Sequence, residues 1–186
     1  AIRSRGLGDV YKRQMNINSD LTVGVGSNAS YTFDGNGSAN SVVNINADID
    51  TSGATSSGII DFQDITILNF NGDITTDGGN VVINNSVSAS NLISDVVFDL
   101  GDGTFDLGNN GMNTGTSNLS ITAGLVDIGG SITGASSDLS IIGEQIIVDD
   151  NINAGGTVFL RSTNGQDIVL NDSVDATGAG NSLVLV

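Results

Sequence analysis

Carboxylates are the only abundant reactive groups in this chain of 186 residues, which carries 21 acidic residues, 5 basic ones and no His or Cys. That composition removes thiolate chemistry, disulfides, imidazole acid–base catalysis and the ordinary Cys/His ligand sets of zinc, haem and iron–sulfur sites. Two chemistries remain for aspartate: clustered oxygen ligands hold calcium, and paired carboxylates hydrolyse glycosidic bonds. The calcium candidates are Asp20, Asp48 and Asp73, each directly before an apolar residue of a recurring motif. Asp150 and Asp172 lie just before theirs, and Asp99, Asp102 and Asp106 belong to the run DLGDGTFD. That run departs from the calcium nonapeptide GGxGxDxUx, and no EF-hand loop is present. For hydrolysis the pairs are Asp149 with Asp150 and Asp172 with Asp175. A lyase would need a basic side chain, and Glu144 and Arg161 stand alone as glutamate and as arginine beyond the first fourteen positions. No catalytic motif accompanies these acids. The expectation is therefore a non-enzymatic chain with no resident cofactor, calcium excepted, whose aspartates mostly line solvated corners.

Charge is unevenly placed. Arg3, Arg5, Lys12 and Arg13 all fall at the start, where Ser4 to Gln14 reads SRGLGDVYKRQ. This string is similar to the translated end of a transposase-type sequencing-library adapter, whose codons give the residues in order. Residues 1–14 are accordingly set aside from the fold, and residues 15–186 are expected to form a single unit truncated at both ends. Without the adapter-like segment the formal charge falls from -16 to -19, with one arginine against twenty acids. That balance argues against binding nucleic-acid phosphates. No apolar run is long enough to span a membrane as a helix.

Stacked carboxylates require a repeating scaffold, and the sequence supplies one. Ile146 to Ala154 reads IIVDDNINA and Ile168 to Ala176 reads IVLNDSVDA, while VDIGGSITG begins at Val126 and VNINADIDT at Val43. The shared form is apolar–x–apolar, three small or polar residues, then Ile or Val. Its last apolar position falls at Leu21, Ile49, Ile74, Val87, Met112, Ile132, Ile152 and Val174, at intervals of 28, 25, 13, 25, 20, 20 and 22 residues. Period-two apolar spacing over short runs signals strands with one buried face, and Gly, Asn, Asp and Ser between them suit tight corners. No segment sustains a helical period. The expected fold is all-β, a right-handed parallel β-helix (β-solenoid) of about eight coils of roughly 20–22 residues, with an axial rise near 4.8 Å per coil. Ile128, Val148 and Leu170 should form one interior column, and Ile132, Ile152 and Val174 another. An antiparallel sandwich shares the short strands but does not require motif repetition.

Two segments carry a family resemblance: NLSITAGLVDIGGSIT from Asn118 and INAGGTVFL from Ile152. They resemble the repeats of filamentous-haemagglutinin-type exoproteins and autotransporter passengers, large bacterial proteins exported to the cell surface. The resemblance implies a structural or adhesive stalk segment, secreted or at the outer-membrane surface, working with host-cell, surface or glycan ligands through the full-length protein. A calcium-ordered surface-layer component and a carbohydrate-active β-helix enzyme are the alternatives. The longer intervals at the N-terminal end are expected to carry loops near Tyr31–Phe33 and Thr51–Gly58. Tyr31 is a candidate glycan contact if exposed, or a packed strand aromatic if not.

Overall fold

The computed structural model describes residues 14–23, 30–37, 40–53, 58–178 and 180–186. Residues 1–13, which include nearly all of the adapter-like string, and residues 54–57 of the expected Thr51–Gly58 loop lie outside the described residues. Among the described residues there are 21 strands, numbered β1–β21 in chain order, and no helix, so none is long and apolar enough to cross a membrane.

Each coil visits three faces in turn. The first stacks eight parallel strands: β1 (Gln14–Ile17), β4 (Val42–Ile45), β7 (Ile67–Phe70), β10 (Ser90–Leu92), β13 (Met112–Gly115), β15 (Ile132–Gly134), β17 (Ile152–Ala154) and β20 (Val174–Ala176). The second comprises β2 (Leu21–Thr22), β5 (Ile49–Asp50), β8 (Ile74–Thr75), β11 (Val96–Asp99), the first halves of β14 (Leu119–Ile128) and β16 (Leu139–Val148), then β18 (Val158–Ser162) and β21 (Leu183–Leu185). The third comprises β3 (Tyr31–Asp34), β6 (Ile59–Gln63), β9 (Asn80–Ile83), β12 (Thr104–Leu107), the second halves of β14 and β16, then β19 (Ile168–Leu170). β14 and β16 pass through the corner unbroken and fuse the second and third faces. Gly124 permits this in β14, because a Cβ there would lie 2.5 Å from the Asp102 carbonyl oxygen.

All strand pairings are parallel and join equivalent positions of successive coils, the arrangement of a β-solenoid. Six strands of the first face are paired on both sides, which gives about six enclosed turns, somewhat fewer than the eight coils expected. The first strand begins at Gln14, one residue ahead of the Met15 boundary. Both expected columns are in register, Ile128–Val148–Leu170 and Ile132–Ile152–Val174, but only their first two members are buried: in the last coil Leu170 is exposed and Val174 half-buried, because less of the chain packs over that end.

The irregular middle of the repeat now has a cause. Along the first face, Met15, Val43, Leu68, Ser90, Met112, Ile132, Ile152 and Val174 are successive partners, so the true coil lengths are 28, 25, 22, 22, 20, 20 and 22 residues. Leu21, Ile49 and Ile74 belong instead to the second face. The sequence motif, a strand followed by a small polar triplet and the next apolar residue, occurs at more than one corner of the coil. Reading it as one corner produced the spurious interval of 13.

Alternation along each strand sends every second side chain inward. The interior holds Ile, Val and Leu columns together with a chain of aromatics that passes from face to face: Phe33 and Phe62 stack at 5.0 Å, Phe62 meets Phe70 edge-on at 5.4 Å, Phe70 meets Phe98 at 5.3 Å, and Phe98 meets Phe105 at 4.9 Å. Such pairs contribute about 0.5–1.5 kcal/mol each beyond the area they bury. Phe62, Phe70, Phe98 and Phe105 are fully buried. Phe159 differs, pointing outward from β18 between buried Val158 and Leu160. Phe98→Ala should therefore cost about 3–5 kcal/mol in urea unfolding, whereas Phe159→Ala should cost less than about 1 kcal/mol.

Candidate functional site

The outward half of each strand carries the polar residues, and stacking sorts them into columns. On the first face the outward positions of β1, β4, β7 and β10 are Asn16, Asn44, Asn69 and Asn91. The Asn44 amide donates to Asn16 Oδ1 at 2.7 Å, Asn69 to Asn44 at 2.7 Å, and Asn91 to Asn69 at 3.1 Å. The same column continues through Asn113, Thr133, Asn153 and Asp175. A parallel step joins Asn46 to Asn18 at 2.9 Å. Sequence reasoning missed this ladder. Its signal was the polar residue held between two strand residues in MNI, VNI, LNF, SNL and INA.

Three of the calcium candidates form a second column at the entrance to the second face. The Asp48 backbone N–H donates to Asp20 Oδ1 at 3.2 Å, the Asp73 N–H to Asp48 Oδ1 at 2.9 Å, and the Val97 N–H to Asp73 Oδ1 at 2.8 Å. The device recurs nearby. Asp95 Oδ1 accepts the Asn118 N–H at 2.7 Å, Asn118 Oδ1 the Asp138 N–H at 2.9 Å, and Asp138 Oδ1 the Thr157 N–H at 2.6 Å. At a corner the backbone leaves the ladder, and the side chain one coil below takes the freed donor. A carboxylate accepts such a bond more strongly than a neutral group.

The other candidates do not join that column. Asp150 Oδ1 accepts the Asn151 N–H at 2.7 Å, and Asp172 Oδ1 the Ser173 N–H at 2.7 Å, each within its own turn. Asp99 faces outward on the second face between Thr75 and Thr122, Asp102 lies in the exposed turn that follows, and Asp106 lies on the third face. Among the described residues no three acidic side chains gather as a metal site. Of the residues considered for hydrolysis, Asp149 accepts the Asn171 amide at 2.6 Å and Asp175 stacks on Asn153. Tyr31 sits partly buried in an interior column beside Phe33, ring centroids 6.4 Å apart, in the position of a packed strand aromatic.

The third face brings together carboxylates that the sequence did not single out as a group. Its outward column runs Thr32, Asp61, Val82, Asp106, Asp127, Ile147, Val169, so Asp106 and Asp127 are neighbours one coil apart. Burial raises the pKa of Asp106. Burial, then Asp106, then Asp149, raise that of Asp127. Burial, then Asp34, raise Asp61, whose Oδ1 is enclosed without a hydrogen-bond partner. A shallow hollow beside the column is lined by Val82, Ile83, Asn84, Asn85, Asp106 and Gly108. Asp50 behaves oppositely, its pKa lowered by the Ser52 hydroxyl and then the Ser52 N–H. Arg161, the one basic residue among the described residues, is on the second face opposite Ile142. Chemically, the third-face pair is close enough for Asp106 to oppose ionisation of Asp127, while the corner aspartates are occupied as backbone acceptors.

No family model matches this chain, and no curated protein or solved structure matches it.

Two outcomes follow from the geometry. Asp73→Ala should cost about 1–2 kcal/mol by stranding the Val97 N–H, and Asp73→Asn should recover most of that loss because it keeps an acceptor; urea unfolding measures both. Asp61, Asp106 and Asp127 hold protons more tightly folded than unfolded. Their contribution favours the fold at low pH and is lost as pH rises through their raised pKa values. The double variant Asp106→Asn with Asp127→Asn should therefore melt above the natural chain at neutral pH, with the gap closing toward about pH 4.

Proposed function

We propose that this segment is a rigid, non-catalytic stalk of a large secreted or cell-surface bacterial protein of adhesin type, whose ligands on host cells, surfaces or glycans are met by the full-length protein. The observation that carries this reading is the uninterrupted axial stacking of a filled core. Eight rungs on the first face correspond to about 34 Å of continuous ladder, and β-solenoid stability adds coil by coil. Such a structure supplies length and stiffness in proportion to the number of coils. The repeat segments from Asn118 and Ile152, similar to those of filamentous-haemagglutinin-type exoproteins, support the same assignment. The acidic outer columns suit a solvated, mutually repelling shaft that resists lateral clumping.

The stalk reading also accounts for the aspartates without a ligand, because Asp20, Asp48 and Asp73 already accept backbone donors. The test is to incubate the purified chain with acidic and neutral polysaccharides and to record its melting temperature across a calcium titration to millimolar levels. No reducing ends, no unsaturated product and an unchanged melting temperature are expected. Product formation lost in Asp106→Asn would overturn the reading in favour of an enzyme. An upward melting shift abolished by Asp48→Asn would overturn it in favour of a calcium-ordered component.

A further inference from the structure

Four Asn-Gly pairs occur in the chain: Asn36-Gly37, Asn71-Gly72, Asn110-Gly111 and Asn164-Gly165. Asn-Gly is the dipeptide in which the following peptide nitrogen is least shielded from attack on the asparagine amide. By sequence the four pairs are equivalent. The fold makes them different.

Asn71 is fixed by its N–H to the Ile45 carbonyl at 2.7 Å, and Gly72 is buried against the neighbouring coil, where a Cβ would lie 2.3 Å from the Ala47 carbonyl oxygen. Both residues of the pair are thereby held in place, which opposes the backbone rotation that ring closure needs. Asn110 has its side-chain amide donated to the Asn85 carbonyl, and Gly111 is buried where a Cβ would meet the Ser131 carbonyl oxygen at 2.3 Å. Asn36 is exposed but held at φ 56, with its N–H on Asp34 Oδ1. In that left-handed basin the next peptide nitrogen lies across the Cα–C bond from Cβ, so it points away from the side-chain amide. Asn164 and Gly165 are both exposed in the turn between β18 and β19. Neither makes a hydrogen bond in the structure, and nothing lies within 4 Å of a Cβ built on Gly165.

We propose that Asn164 is a site of spontaneous, fold-selected deamidation and isoaspartate formation, and that the other three Asn-Gly pairs are protected by the solenoid. The Gly165 peptide nitrogen gives its proton to solvent base and attacks Asn164 Cγ. The new C–N bond closes a succinimide, the Cγ–Nδ2 bond breaks, and the amide nitrogen leaves as ammonia after taking a proton from solvent. Water then opens the ring at one carbonyl to give aspartate, or at the other to give isoaspartate. No group is oxidised or reduced, and water is the sole co-reactant. The isoaspartate product transfers one methylene from side chain to backbone in the turn that leads into β19, whose three residues pair with Ile146, Ile147 and Val148 of β16. Both products add a carboxylate close to Asp167. The turn thus records the age of the chain as a charge and backbone change confined to one corner.

The experiment ages the intact chain at mildly alkaline pH, in parallel folded and in concentrated urea, followed by peptide mass spectrometry with isoaspartate-specific fragmentation. In the folded chain the signal at Asn164 should far exceed that at Asn36, Asn71 and Asn110, and in urea the four should converge. Comparable folded-state rates at all four pairs, or a faster rate at any protected pair, would overturn the proposal. Gly165→Pro, which leaves the peptide nitrogen no proton to lose, should abolish the isoaspartate signal at Asn164 in urea as well as in the folded chain, so the result does not depend on how that variant folds. Persistence of the signal in urea would show that Gly165 nitrogen is not the nucleophile, and would equally sink the idea.

Discussion

The described structure rests on one constraint: strand residues pair with their equivalents one coil away, in parallel and almost throughout in register. Because side chains alternate along a strand, that pairing makes like stack on like. Val81, Phe105, Val126 and Ile146 line one interior column because they share a register position. The same rule creates the outward amide ladder from Asn16 to Asn91 and sets Asp106 beside Asp127. A slip of one residue would expose the interior columns and bury the polar ones. Register is therefore held by the whole core and not by any single contact.

Corners are where the constraint relaxes. Coil length varies from 20 to 28 residues, yet the paired strands keep their register except for a one-residue shift between β13 and β15 at Asn113–Gly115, so nearly all of the difference is taken up between strands. The cost is a set of backbone donors that leave the ladder. Aspartate and asparagine one coil below accept them, which explains why acids accumulate at stacked positions in spite of mutual repulsion. A charge-assisted bond to a backbone N–H is worth more than the repulsion between screened, solvent-exposed charges. The third face lacks that compensation. Asp61, Asp106 and Asp127 project from strand centres beside Val82 and Ile147, lose hydration, and retain their protons more readily.

These two environments give the acids different roles. Corner aspartates are structural acceptors of backbone N–H groups. Third-face aspartates couple the shaft to pH through their shared column. The corner set is placed by the backbone donors it accepts, and the third-face set by its register along the strands. The turn at Asn164 marks the other extreme, where freedom from contacts leaves the chain open to its own chemistry.

Much of this was legible from the residues. Period-two spacing with small polar corners gave the parallel solenoid, and the ladders at Ile128 and Ile132 followed from aligning repeats, because strand alternation is a local property. The absence of His and Cys settled the available chemistry without any structure. Register through residues 50–112 was not legible, since similar apolar–polar triplets occur at different corners and only pairing across coils tells them apart. Tertiary structure alone decided that Phe33, Phe62, Phe70, Phe98 and Phe105 touch, although they sit on three different faces. It also decided that Asp20, Asp48 and Asp73 answer backbone donors while Asp106 meets Asp127. Proximity between residues some twenty positions apart is created by closing the coil, and no local pattern contains that length.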